Sequence, residues 1–182
     1  MIVHRFLYNI LYIRDMTFVK HPYLLCIMFV CLSFFTTIQA KAQTKTPCIT
    51  SDSLLRVCNS LKGITYKWGG ETTKGFDCSG FIMYVFNRFN ISLDHSAKNL
   101  ATLGRKISLA EAKIGDIIIF RGTHKKDISP GHAGIIISQE GEALEFMHSS
   151  SSKKNKGVTT TYFENSNYPA RFLEIRRVAE VL

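Results

Sequence analysis

Gly75-Phe76-Asp77-Cys78-Ser79-Gly80-Phe81 is the stretch from which the fold is read. Its glycine turn leads into Asp77, a residue type that caps helix N-termini by accepting from the first free backbone N–H groups. Beyond it, Phe81, Ile82, Val85, Phe86 and Phe89 recur at helical spacing. That spacing predicts an amphipathic helix ending near Asn90, with Cys78 in its first turn. Unpaired N–H groups and the positive end of the helix dipole converge there, and both favour a thiolate. The expectation is a thiol of lowered pKa, which a nucleophile needs and a packing cysteine does not. Taken alone, a cysteine is more often a small buried hydrophobe. Its companions further along the chain decide for chemistry.

Upstream, Ser51 to Lys62 carries Leu54, Leu55, Val57, Cys58 and Leu61 and stops at Gly63, a helix with a C-terminal glycine. Ile64 to Gly70, ITYKWGG, is a loop that delivers the chain to the Cys78 helix. Downstream, Ser96 caps a short helix to Leu103, stopped by Gly104. Then the period changes. Ile107 to Ile114 is a connector, and Gly115-Asp116 opens the β-branched run Ile117 to Phe120, a buried strand. Further strands are expected over His132–Ser138, Ala143–His148, Val158–Phe163 and Arg171–Val178, with a Ser- and Lys-rich loop over Ser149–Gly157. Helices first and strands afterwards, joined by short turns, imply an α+β fold with an antiparallel sheet of about five strands.

Two histidines supply the missing partners. His132 opens one strand within Gly131-His132-Ala133-Gly134, and His148 ends the adjacent one. A hairpin turning at Glu140-Gly141 sets the two nearly opposite each other, within contact distance on one face. One ring can then hold the other by an N–H···N hydrogen bond and fix its tautomer. If the Cys78 helix packs across this sheet, the order becomes nucleophile, base and orienting group. His95 and His124 lie in loops without such company and are read as incidental. Zinc held by Cys78, His132 and His148 is the competing arrangement. Structural zinc ligands come in close pairs such as C-x-x-C, and this chain has none, so neither metal nor cofactor is expected.

The chain has 182 residues and a net charge of +9. Residues 1–42 contribute Arg5, Arg14, Lys20 and Lys41 against Asp15, so +3 belongs there and +6 to the remainder. Those charges are spread out, apart from Lys153, Lys154 and Lys156, and not interleaved with aromatics on one element, which argues against a nucleic-acid partner. After Lys20, an apolar run from Pro22 to Ile38 precedes Ala40-Lys41-Ala42, the pattern of a secretory signal cut after Ala42. Met16 is an alternative start. Left uncleaved, the run of about 17 apolar residues would be the chain's membrane contact. The expected organisation is a signal peptide over 1–42, a loose tail over 43–50 and one domain over 51–182. Export to the periplasm or cell envelope, or secretion, follows. Of five cysteines, Cys48, Cys58 and Cys78 would remain; Cys48 and Cys58 could bridge, or Cys58 could be core.

YKWGG at Tyr66–Gly70, FDCSGF at Phe76–Phe81, IGDIIIF at Ile114–Phe120, GHAGI at Gly131–Ile135 and the closing His148 resemble the NlpC/P60 cysteine peptidases. The resemblance covers about residues 54–178. It implies a papain-like α+β fold and cleavage of peptidoglycan stem peptides, at γ-D-glutamyl–diamino-acid or D-Ala–diaminopimelate bonds. It makes Cys78 the nucleophile, His132 the base and His148 the orienting residue. By the same resemblance Tyr66 helps hold the oxyanion, and Asp77 and Ser79 line the substrate groove; Asp77 as a plain helix cap is the alternative. Trp68 packs its loop or walls the groove. An N-acetylmuramoyl-L-alanine amidase and a non-catalytic wall-binding module are the rival readings.

Overall fold

The computed structural model describes residues 49–124, 126–153 and 156–182. The expected signal segment, Met16 and Cys48 lie outside the described residues. Among the described residues no helix is long and apolar enough to cross a membrane.

Helix α1, Ser51–Ser60, starts where the Thr50 hydroxyl accepts from the Ser53 N–H at 3.3 Å. Leu54 and Cys58 point into the core, and the chain turns away at Gly63, whose φ of +88° suits glycine. A two-residue ribbon follows, β1 at Glu71–Thr72 paired with β2 at Gly75–Phe76. Helix α2, Cys78–Asn87, is capped by Asp77, whose Oδ1 accepts from the Gly80 N–H at 2.8 Å. Phe81, Ile82, Val85 and Phe86 are its buried stripe, as their spacing requires. Helix α3 is shorter than expected, Ala97–Leu100 after the Ser96 cap.

The sheet has six strands, one more than the pattern suggested. They are β3 (Arg105–Ile107), β4 (Ile117–Arg121), β5 (Pro130–Ile136), β6 (Glu145–Ser150), β7 (Gly157–Tyr162) and β8 (Phe172–Arg177). Their order is β3-β8-β4-β5-β6-β7, and every neighbouring pair is antiparallel. The additional strand is β3. It is a three-residue edge whose Arg105 and Lys106 are exposed, so it carries too little alternation to be seen in sequence.

Both faces of the sheet are covered. Ile117, Ile119, Ala133, Ile135 and Met147 pack with the buried residues of α1 and α2. Ile118, Phe120, Ile136, Phe146 and Ile175 pack with Phe163, Tyr168 and Phe172. That double cover is why Ile117 to Phe120 reads as an unbroken apolar run. The loop end of β4 is tied to β8 by a bidentate pair. Arg177 Nε and Nη2 lie 2.7 and 2.8 Å from the Asp116 carboxylate, which is only 1% exposed.

Candidate active site

Asp77 organises the start of α2. Its carboxylate accepts from the Gly80 N–H, from the Ser79 hydroxyl at 3.1 Å, and from His95 Nε2 at 2.9 and 2.8 Å to its two oxygens. His95 Nδ1 lies 3.6 Å from Glu71. His95 is therefore not incidental: a loop far from Asp77 in sequence folds back to brace the cap. Gly80 leaves the space for it, since a Cβ there would meet His95 Nε2 at 3.0 Å and collide with the Gly70 carbonyl oxygen. Ser79 is 5% exposed and its hydroxyl is spent on Asp77.

Cys78 is half-buried, whereas Cys58 is fully buried. Burial pushes the Cys58 thiol up to about 12 and leaves it an inert core group. For Cys78 the expected lowering is reversed. Burial first, and the Asp77 carboxylate second, raise the thiol, while backbone N–H groups of Ala133, Ser79 and Cys78 pull the other way without winning. The helix start does act as expected, but the capping carboxylate beside it and the loss of water outweigh it. The Ala133 N–H brings the thiol to the residue next to His132, and α2 packs against β5 and β6.

The imidazole pair forms. His132 Nε2 lies 3.0 Å from His148 Nδ1, with the rings nearly perpendicular at 89°. The register differs by a step from the expected one. Ile135 pairs with Met147 and Ile136 with Phe146, so His148 falls opposite Gly134 and His132 is its diagonal neighbour. The reason is the turn, centred one residue later, at Gly141 with φ +84°. Gly134 makes the diagonal reach possible, because a Cβ there would sit 3.2 Å from His148 Cβ and 2.7 Å from the Phe146 ring.

The far nitrogen of His148, Nε2, lies 3.1 Å from the Thr161 hydroxyl on β7. His148 is 2% exposed. Burial, then the positive charge of Arg171, lowers its pKa to about 4. His132 is lowered well below the ordinary imidazole value by burial, His148 and Arg171, in that order. A raised thiol and a lowered imidazole both favour the neutral pair over a preformed thiolate–imidazolium.

Tyr66 is joined to Phe76 by a parallel bridge. Burial, then the charges of Cys78 and Asp77, raises its phenol, so it stays a hydrogen-bond donor beside the thiol. Trp68 is 88% exposed, so it does not pack its loop. Tyr168 was not legible in the sequence as a site residue. It arrives from the segment before β8, with its hydroxyl 3.3 Å from His132 Nε2 and 3.4 Å from His148 Nδ1. Its loop, Ser-Asn-Tyr-Pro, carries no signal that it will cover the histidines. Among the described residues no cluster of three His, Cys, Asp or Glu is placed to hold a metal ion.

A thiol at a braced helix start, set against an antiparallel sheet that carries an imidazole pair, defines the papain-like class of scaffolds. The NlpC/P60 family model matches residues 63–177, and the chain belongs to that family. It is similar to the gamma-DL-glutamyl hydrolase of Bacillus subtilis (strain 168), at 31% identity over 86% of this chain and 36% of that protein. It is also similar to the murein DD-endopeptidase MepS/murein LD-carboxypeptidase of Escherichia coli (strain K12), at 34% identity over 64% of this chain and 57% of that one. The chain thus spans little more than a third of one relative and just over half of the other. In fold it matches the crystal structure of an NlpC/P60 family protein from Bacillus cereus ATCC 10987. There the TM-score is 0.64 at 23% identity, covering 73% of this chain and 41% of that one.

Proposed function

We propose that this chain is a cysteine hydrolase that cleaves amide bonds in the stem peptides of cell-wall peptidoglycan. The observation that carries the reading is the half-buried Cys78 thiol held against the Ala133 N–H, next to the His132–His148 pair. The names of its relatives, a gamma-DL-glutamyl hydrolase and a murein DD-endopeptidase, support the substrate class. The resemblance of the motifs makes γ-D-glutamyl–diamino-acid or D-Ala–diaminopimelate bonds the targets of this reading.

The chemistry starts from the neutral pair. His132 takes the thiol proton as Sγ of Cys78 attacks the peptide carbonyl, and the carbonyl π pair moves onto oxygen. The Cys78 N–H at the helix start and the Tyr66 hydroxyl are the donors for that oxyanion. The C–N bond breaks as His132 gives its proton to the leaving amine. Water then attacks the thioester, His132 takes a proton from it, and the thiol is regenerated with release of the acid. His148 orients His132 throughout. Asp77 and Ser79 serve this groove chiefly by fixing the helix start, and exposed Trp68 is a wall available to substrate.

We place the site of action outside the cytoplasm, in the periplasm or envelope, on the strength of the apolar run and Ala40-Lys41-Ala42. The test is digestion of purified peptidoglycan and defined muropeptides, with fragments identified by mass spectrometry. Wild type should cut within the stem and Cys78→Ala should not. Intact stems freed from glycan would point to an amidase, and full activity of Cys78→Ala would end the reading.

A further inference from the structure

Tyr168 is packed on several sides. Its ring packs 4.6 Å from Phe120 and 5.0 Å from Phe146, centroid to centroid, and stacks on His132 at 5.7 Å and 26°. The guanidinium of Arg171 lies over it at 5.2 Å. Arg171 is itself anchored by Nε and Nη2 to the Arg121 carbonyl at 3.1 and 2.8 Å. Such a ring has little freedom, so its hydroxyl is aimed.

Its target follows from where the ring protons of the two histidines sit. His132 Nε2 already faces His148, so Nδ1 is the nitrogen left to take the thiol proton. Neutral His132 must then carry its hydrogen on Nε2. That N–H donates to His148 Nδ1 at 3.0 Å, with the Tyr168 oxygen at 3.3 Å as a second acceptor. His148, accepting at Nδ1, holds its own hydrogen on Nε2 and donates it to Thr161 at 3.1 Å. The Tyr168 O–H, 3.4 Å from His148 Nδ1, competes with His132 Nε2–H for that nitrogen's one lone pair. This assignment leaves His132 Nδ1 free, with the Tyr168 oxygen accepting from its Nε2–H. The opposite tautomer of His132 would put a hydrogen on the nitrogen that has to act as base.

We propose that Tyr168 is a positioning residue for the reaction: it holds His132 in the tautomer with Nδ1 free. It also gives the Nε2–H a second oxygen acceptor as positive charge develops on the ring. The proposal rests on Cys78 and His132 being nucleophile and base. The charged and titratable groups acting on His132 are His148 from β6 and Arg171 from the turn before β8, while Arg171 and Cys78 from the start of α2 act on Tyr168. Its Nε2 lies within hydrogen-bonding distance of both the tyrosine hydroxyl and His148 Nδ1.

Tyr168→Phe keeps the ring, the stack and the guanidinium contact and removes only the hydroxyl. The expected result is a fall in kcat of about tenfold or more, the size of one hydrogen bond to an ionising group, with KM unchanged. The acid limb of kcat/KM should move to lower pH, because the imidazolium has lost an acceptor. Two readouts need no wall substrate: nitrogen-15 NMR of the His132 ring, and the pH profile of Cys78 alkylation by iodoacetamide. His132 should be the Nε2–H tautomer in wild type and mixed in Tyr168→Phe, with alkylation slowed. Wild-type His132 protonated on Nδ1 overturns the proposal. So does a variant with unchanged tautomer and pH limb, whether active or merely less stable. If wild type leaves peptidoglycan intact, the NMR and alkylation results still judge Tyr168, and only the substrate reading falls.

Discussion

His148 should make folding stability depend on pH in a window where most side chains are silent. In the unfolded chain its ring titrates near 6.5, whereas burial and Arg171 hold the folded-state pKa near 4. Between those values the unfolded state binds more protons than the native state, so stability is full above pH 6.5 and falls as pH drops towards 4. At about 1.4 kcal/mol per unit, the full loss is on the order of 3 kcal/mol, reached only below the folded pKa. Between pH 7.5 and pH 5 the loss through this one ring is about 2 kcal/mol. At 2% exposure solvent screening does little to reduce it. The assay is urea denaturation of wild type and His148→Gln at several pH values across that range. Glutamine does not titrate, so the stability gap between the two proteins should narrow by about 2 kcal/mol on acidification. His132 loses a repulsive neighbour in the variant, which narrows the gap further. A gap that stays constant with pH would refute the reasoning.

Three other outcomes are expected. Alkylation of Cys78 in the substrate-free protein should rise through the alkaline range, above the ordinary thiol value, because burial and Asp77 raise it; a plateau already reached at pH 6 would contradict the neutral pair. Arg177→Met should cost roughly 3–5 kcal/mol in urea denaturation, because it leaves the Asp116 carboxylate buried without its partner. Gly134→Ala should cost about 1–3 kcal/mol, since its Cβ would meet the Phe146 ring and lie 3.0 Å from the Met147 carbonyl oxygen. Its loss of hydrolysis should exceed what its thermal stability explains, because His148 is the neighbour displaced.

The local chemistry of this chain determined a good deal. Spacing alone placed Phe81, Ile82, Val85 and Phe86 on one buried stripe, and residue type alone made Asp77 the cap of α2. The β-branched run at Ile117 and the paired histidines on adjacent strands followed from periodicity and turn residues, signals that act over a few residues. The rest was decided by distance in the fold. His95 and Tyr168 reach the site across 18 and 36 residues of chain, and no local pattern records where such a loop will land. The thiol's direction of shift went the same way. The helix start favours the thiolate, but burial and a neighbouring carboxylate oppose it, and only the tertiary structure says how much water and charge surround the sulfur.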